Sequence, residues 1–392
     1  MQAQPIRCLL VTSIGLCTSS ICLAQDLPES EITATYAVQN GSNLSYVPDA
    51  LLTEGNNTHH VETATVGFSV RTKQGMQRLM LDGSLVNRSF ESTQTVNAVT
   101  SNYNLLWQWV ATPRWTGELG ASRRESFDTL VSSPFQGQAN SVLTNDSHFD
   151  VAWQVDGPWR LIAGVAQART ATTRSAPSDQ NTRSANAGIR YVSGTGSSLT
   201  FKQISTDGDF SSSSTSVRSD FTQRDSDIRF HWVISDGSTA DAYTTYSENS
   251  RNHPSTGGKQ GFDGWNAGGS LTWSFGGLST LQIDLAHTLA ATGLDSPLFS
   301  ETDRVTVGPV WQIGSKTALT LHHTWAQQTF GGYSSNALHR LDKLRVTALG
   351  FAWKPYKHLS LNAGLQHLSR ESNDLYAVVA TNAATISAHI SY

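Results

Sequence analysis

The stretch FDVAWQVDGPWRLIAGVAQAR (residues 149–169) contains a complete strand–turn–strand pattern. Apolar Phe149, Val151, Trp153 and Val155 occupy alternate positions, with smaller or polar residues between them. Alternation with a period of two is typical of a β-strand with one apolar face. The DGP sequence that follows contains residues that favour a tight turn, and a second alternating run begins directly after it. The stretch therefore predicts a β-hairpin.

The same pattern recurs along the chain, for example in IRFHWVI (residues 228–234) and LQIDLAH (residues 281–287). Short connectors rich in Gly, Pro and Asp lie between long alternating runs at 111–114, 156–158, 193–196, 235–238, 275–277, 313–316 and 354–358. Longer polar stretches lie between them at 40–59, 127–144, 171–182, 206–221, 251–261, 291–300, 331–340 and 372–380. Short turns that alternate with long loops are typical of outer-membrane barrels.

We therefore predict an all-β fold, a transmembrane antiparallel up-and-down β-barrel of about 18 strands that follows a signal peptide. The first strand, EITATYAV (residues 31–38), is short, and 16 strands is the alternative. An even number leaves both chain ends in the periplasm. The predicted location is the bacterial outer membrane of a Gram-negative cell, with outer-membrane lipid around the barrel.

Tryptophan positions separate this barrel from a soluble β-sandwich, whose core gives no reason for Trp to collect beside one class of turn. Of the 11 Trp residues, only Trp265 and Trp325 lie away from the short turns. Indole side chains collect at membrane interfaces. We therefore predict a periplasmic aromatic girdle of Trp107, Trp109, Trp115, Trp153, Trp159, Trp232, Trp273, Trp311 and Trp353.

The first 24 residues have the pattern of a secretory signal peptide: Arg7, an apolar stretch, small residues and a cleavage site after Ala24. The barrel is predicted to occupy residues 25–392. All three cysteines lie within the signal peptide, which excludes disulfides, thiolate catalysis and zinc–cysteine sites from the mature chain.

Composition limits the partners of the chain. Charged residues make up only 15% of it, and hydrophobic residues 38%. Without Arg7 the basic residues fall from 27 to 26 against 31 acidic residues, so the mature net charge is −5. The sequence has no stripe of basic residues of the kind that would indicate a nucleic-acid partner. No GxSxG, HExxH or phosphate-loop motif occurs, and we predict neither enzymatic activity nor a cofactor or metal site.

The polar face of the strands is predicted to line a lumen. Its charged candidates are Arg78, Asp82, Arg88, Glu118, Arg124, Asp146, His148, Asp150, Arg160, Arg190, Asp227, Arg229, His231, Asp284 and Arg304. Opposite charges on neighbouring strands stabilise a sheet, so these residues could simply stiffen the wall. Alternatively, some of them contact a polar solute in transit. The sequence leaves both readings open.

A family resemblance rests on YNLLWQWVATPRWTGELGASRRESFDT (residues 103–129), preceded by QRLMLDGSLVNRSFES (residues 77–92) and followed by DVAWQVDGPWRLIAGVAQARTATT (residues 150–173). These segments resemble the EpsL-type outer-membrane proteins of exosortase-associated exopolysaccharide gene clusters. The family carries an acidic, Asn-containing stretch and then an Arg near its N-terminus. QNGSNLSYVPD (residues 39–49) stands there in this chain, without the acids before Asn43 or the Arg.

The resemblance implies export of an extracellular polysaccharide, with the polysaccharide chain and periplasmic polysaccharide export components as partners. The polymer would pass a lumen whose groups bind it weakly and at many sites. One alternative is a general or sugar-selective diffusion porin. A second is a structural or adhesive barrel that acts through its long external loops.

The last stretch, TNAATISAHISY (residues 381–392), places Ile386, Ala388, Ile390 and Tyr392 on one strand face. We predict that this is the closing strand of the barrel. We also predict that these four residues form the assembly signal that the barrel-assembly machinery recognises.

Overall fold

The computed structural model describes residues 30–44, 46–54, 57–91, 96–128, 140–172, 179–211, 218–252, 259–291, 299–331 and 340–392. The predicted signal peptide, residues 1–24, lies outside this part of the chain and stays a prediction. Among the described residues, no helix has the length and apolarity needed to cross a membrane. The two helices of the described chain are single 3-10 turns, Asp49–Leu51 and Leu375–Ala377.

Strands account for most of the described residues. In chain order they are β1 Ser30–Ser42, β2 His60–Gln74, β3 Gln77–Glu91, β4 Val96–Thr112, β5 Trp115–Asp128, β6 Asn140–Asp156, β7 Trp159–Thr172, β8 Asp179–Val192, β9 Ser198–Ser211, β10 Arg218–Ser235, β11 Ser238–Asn252, β12 Lys259–Phe275, β13 Ser279–Ala291, β14 Phe299–Gln312, β15 Thr317–Gly331, β16 Leu341–Tyr356, β17 Leu359–Ser372 and β18 Val379–Ser391.

These strands form one closed barrel. Each strand is antiparallel to the next along the chain, and β18 pairs with β1 in a register that begins with Thr33 opposite Ser391. Backbone hydrogen bonds of 2.8 and 2.9 Å join Ile32 and Tyr392 at this seam. Closure leaves no unpaired edge, as strands in lipid require. The predicted antiparallel 18-stranded barrel is confirmed, and the alternative of 16 strands is wrong.

All the short turns lie at one end of the barrel, at residues 75–76, 113–114, 157–158, 193–197, 236–237, 276–278, 313–316 and 357–358. Sequence analysis identified every one of these except the turn at 75–76. Gly75 has a φ of +61° there, a conformation that glycine adopts without steric cost. The longer connections, such as the one from residue 43 to residue 59 between β1 and β2, join strands at the opposite end, as is typical of outer-membrane barrels.

The outer face of the barrel is apolar and exposed. On β10, Ile228, Phe230 and Trp232 alternate with charged residues, yet 43–49% of each apolar side chain is accessible. Eight residues separate Trp232 from Arg224, the first charged residue on the same face. For a strand tilted by about 40° this corresponds to an apolar height of about 20 Å, near the band of about 25 Å in known barrels. This face therefore fits lipid.

The nine tryptophans near the short turns all lie on the outer face. Trp115 stacks on Trp153 with ring centroids 5.6 Å apart, across two neighbouring strands. The other two, Trp265 and Trp325, are also on the outer face but nearer the opposite end. Trp265 packs against Tyr246 at 5.0 Å. Two levels of aromatic residues thus border the apolar band, and their role at the lipid interface stays a prediction.

Candidate functional site

Strand register places the predicted lumen residues on the inner face. Side chains alternate along a strand, and each of the fifteen has the parity opposite to that of the outward-facing apolar residues of its own strand. The inner face thus carries Arg78, Asp82, Arg88, Glu118, Arg124, Asp146, His148, Asp150, Arg160, Arg190, Asp227, Arg229, His231, Asp284 and Arg304. What these residues contact during function stays a prediction.

Several inner charges pair across strands. Glu118 of β5 accepts a hydrogen bond from Gln108 at 3.0 Å and lies 3.1 Å from the His148 ring on β6. His231 of β10 lies 2.7 Å from the carboxylate of Asp241 on β11. Contacts of this kind join neighbouring strands, and they are the contacts expected if the inner charges serve to stiffen the wall.

A group of four cations occurs on the inner faces of four consecutive strands. Arg160, Arg190, Lys202 and Arg229 lie on the inner faces of β7, β8, β9 and β10, and we call this group the cation arc. Arg160 is the second residue of β7, next to a short turn, whereas Arg229 lies six residues before the end of β10. The arc therefore rises from the turn end of the barrel toward its middle.

The arc contains a pair of like charges that faces across one strand boundary. Arg160 and Arg190 are direct partners in the register of β7 and β8. Lys202 in turn lies within electrostatic range of both Arg190 and Arg229. Like charges directly opposite each other destabilise a sheet, so the Arg160–Arg190 pair is not explained as a reinforcement of the wall.

Asp150 lies within electrostatic range of Arg190 and Lys202, and Asp227 lies within range of Lys202. Asp227 is 1% exposed, and it accepts hydrogen bonds of 2.8 Å from the Arg229 guanidinium and the Thr245 hydroxyl. The negative charge of Asp227 is thus bound by side chains of the barrel wall. Counted over the four cations of the arc and these two carboxylates, positive charges exceed negative charges by two.

Sequence reasoning missed Lys202. In LTFKQI (residues 199–204) the apolar alternation shifts: Leu199 and Phe201 face outward, but Ile204 faces inward. The position of Lys202 between Phe201 and Gln203 was the only sign of its inward orientation. Its partner across the strand, Asp227, was among the predicted residues.

No group of three or more His, Cys, Asp or Glu side chains arranged for a metal ion occurs in the part of the chain that the structure describes. A closed barrel with an apolar outer face and a charged inner face defines an outer-membrane β-barrel protein, located in the bacterial outer membrane.

Known structures share this architecture. The outer membrane protein OpdK from Pseudomonas aeruginosa matches with a TM-score of 0.53 and 11% identity, over 93% of this chain and 99% of that chain. A BenF-like porin from Pseudomonas fluorescens Pf-5 matches with a TM-score of 0.52 and 10% identity, over 93% and 98%. OpdK with vanillate, also from Pseudomonas aeruginosa, matches with a TM-score of 0.51 and 12% identity, over 93% and 98%.

At these low identities, the TM-scores above 0.5 show a common fold. No protein-family model and no curated protein matches the sequence. The resemblance to EpsL-type proteins therefore stays a prediction. The matched structures are those of porins and other outer-membrane proteins.

Proposed function

We propose that the protein is a diffusion channel of the outer membrane for small polar solutes, and that the cation arc gives it a preference for anions. The observation that carries this proposal is the arc itself: four cations on adjacent strands, two of them directly opposed, on the inner face of an 18-stranded barrel. Barrels of 16–18 strands leave an aqueous channel rather than a packed interior.

Elementary electrostatics gives the size of the expected preference. About 14 Å from one cation, a monovalent anion gains about 0.3 kcal/mol in water and a monovalent cation loses the same amount, a difference of about 0.6 kcal/mol that grows where the wall excludes water. Each cation then favours the anion by about two- to threefold. Several weak sites in sequence suit a channel, because a solute must leave as readily as it enters.

One matched structure fits this chemistry: OpdK with vanillate, which is a small carboxylate. Vanillate is the compound named with that protein. For the present chain, the proposal extends only to small anionic solutes as a class. The arc accounts for such a preference through charge alone, without a pocket shaped for one compound.

Bilayer recordings test this proposal. The mature protein, reconstituted in a planar bilayer with a tenfold KCl gradient, should conduct and show a reversal potential on the chloride side. Arg190→Gln and Lys202→Gln should each lower the anion-to-cation permeability ratio about two- to threefold. Arg183→Gln is the matched control, since Arg183 lies on the outer face of the same strand β8, opposite Asp207.

Equal ratios in all four proteins would overturn the role of the arc, and absence of any conductance would overturn the channel. Polysaccharide export rests on the sequence resemblance alone, and a clean deletion of the gene separates it from the channel. Export requires a loss of secreted polymer in the deletion strain, whereas an uptake channel predicts unchanged secretion and slower growth on its solute.

A further inference from the structure

The described residues of the connection between β1 and β2, 43–44, 46–54 and 57–59, pack against the barrel wall, and we call them the mouth loop. Leu44 is 3% exposed and packs with Val61, Phe90 and Ala383. These three partners are on the inner faces of β2, β3 and β18. The mouth loop therefore folds inward over the external mouth of the barrel.

A second apolar contact holds the loop on the other side. Tyr46, 7% exposed, packs with Leu368 of β17 and Val379 of β18, and Leu344 and Val346 of β16 extend this cluster. Strands from β16 through the seam to β3 thus provide the surface that the loop covers.

Asn43 organises the backbone of the loop. It is 1% exposed, and its side-chain amide donates to the Val47 carbonyl at 2.8 Å while its carbonyl oxygen accepts from the Val47 N–H at 2.8 Å. Its own N–H donates to the side chain of Asn57 at 2.8 Å. The Thr381 hydroxyl of β18 donates to the Asn43 backbone carbonyl at 3.1 Å.

Backbone conformation in the loop is unusual. Asn43 and Tyr46 have φ values of +53° and +55°, the only positive values among described residues other than glycine. Asn tolerates this conformation, but Tyr rarely adopts it. Such conformations persist where the surroundings determine them, here through the buried Tyr46 ring and the Asn43 hydrogen bonds. The loop is therefore a built structure rather than a freely moving lid.

The neighbouring connection, residues 373–378, supports the mouth loop. The Asp49 N–H donates to the Val378 carbonyl at 2.8 Å. Asp342, 3% exposed, anchors this region, because Arg340 donates to both of its oxygens at 2.9 and 2.7 Å and the Ser372 hydroxyl donates at 2.6 Å.

We propose that the mouth loop is a fixed constriction that sets the size limit of the channel and directs solutes toward the cation arc. The wall it covers, β16 to β3, is roughly half-way round the barrel from β7 to β10, which carry the arc. A solute that passes the loop is displaced toward the opposite wall and meets the arc deeper in the lumen. This inference rests on the proposed channel function.

Two variants test the constriction in planar bilayers. The first replaces residues 44–57 with two glycines. The second, Asn43→Gly, keeps the positive φ but removes the side-chain hydrogen bonds. Single-channel conductance should rise about twofold or more in the first and measurably in the second, and larger organic anions should become permeant. Ala50→Gly is the matched control, because Ala50 is an exposed residue of the same loop and should leave conductance unchanged.

Cysteine labelling tests the packing without reference to conductance, since all three cysteines of the chain lie within the predicted signal peptide. Leu44→Cys and Ala50→Cys are exposed on intact cells to a membrane-impermeant maleimide, after heat-modifiable gel mobility has shown that both barrels are folded. Leu44→Cys should react at least tenfold more slowly, because Leu44 is buried and Ala50 is exposed.

The outcomes separate this inference from the channel proposal. A conducting parent protein with unchanged conductance and size limit in both loop variants would overturn the constriction and leave the channel intact. Equal labelling of the two cysteines would also overturn it. A parent protein that does not conduct would overturn the channel proposal and, with it, the inference.

Discussion

Arg160→Glu should stabilise the barrel wall and at the same time remove its preference for anions. Arg160 directly faces Arg190 across β7 and β8, and its other register partner is the uncharged Gln154. The substitution therefore replaces a facing pair of like charges with a pair of opposite charges. Arg190 keeps its hydrogen bond of 3.0 Å to the Thr200 hydroxyl.

The two effects can be sized from the structure. Like charges opposite each other cost a sheet about 0.2–1 kcal/mol and opposite charges gain a similar amount, so unfolding should require about 0.5–2 kcal/mol more free energy. Counted over the four cations of the arc, Asp150 and Asp227, the excess of two positive charges falls to zero, because one cation is lost and one carboxylate is added. At about 0.6 kcal/mol per charge this lowers the anion-to-cation permeability ratio roughly eightfold.

Urea unfolding in lipid vesicles measures the stability, and reversal potentials in a KCl gradient measure the selectivity. Arg160→Gln should show about half of each effect. Arg169→Gln is the control, because Arg169 lies on the outer face of the same strand, near Asp179. A variant that is less stable than the parent, or one with an unchanged permeability ratio, would refute the electrostatic reasoning.

Three further predictions concern the wall, the seam and the ionic strength. Asp227→Ala should lower the free energy of unfolding by about 3 kcal/mol, measured by urea titration, because it leaves Arg229 and Thr245 without their buried partner; a loss below about 1 kcal/mol would contradict this. Deletion of Tyr392 should reduce the membrane-inserted fraction, measured by heat-modifiable mobility of outer-membrane extracts, because it removes the predicted assembly signal and the two bonds to Ile32; normal insertion would count against the signal. Raising KCl from 0.1 to 1 M should bring the anion-to-cation permeability ratio close to one, as the screening length falls from about 10 to 3 Å; a ratio independent of salt would indicate selection by size.

The fold could be predicted from the sequence because its strongest constraints are local. Period-two alternation and Gly- or Pro-containing turns determine strands and hairpins within some 30 residues, as in the stretch 149–169. The turn at 75–76 was missed because it lies in KQGM, where no Pro or Asp accompanies the glycine. Strand parity assigns a side chain to one of the two faces wherever the apolar residues alternate without a shift.

The site could be predicted only in part, for two physical reasons. Lys202 lies where the apolar alternation shifts, so parity alone did not assign its direction. The inward fold of the mouth loop depends on contacts between residues far apart in sequence, such as Tyr46 with Leu368 and Val379. The strands that carry Leu368 and Val379 follow the loop by more than 300 residues. No local sequence pattern indicates that a polar external connection will pack on their inner faces.

The reversal potential of the reconstituted mature protein tests the central claim most directly. In a tenfold KCl gradient at 0.1 M or less on the dilute side, the account predicts discrete conductance steps and a potential displaced toward the chloride equilibrium value, because the cation arc is on the inner face. A potential displaced toward the potassium value, or a bilayer without conductance steps, would contradict it.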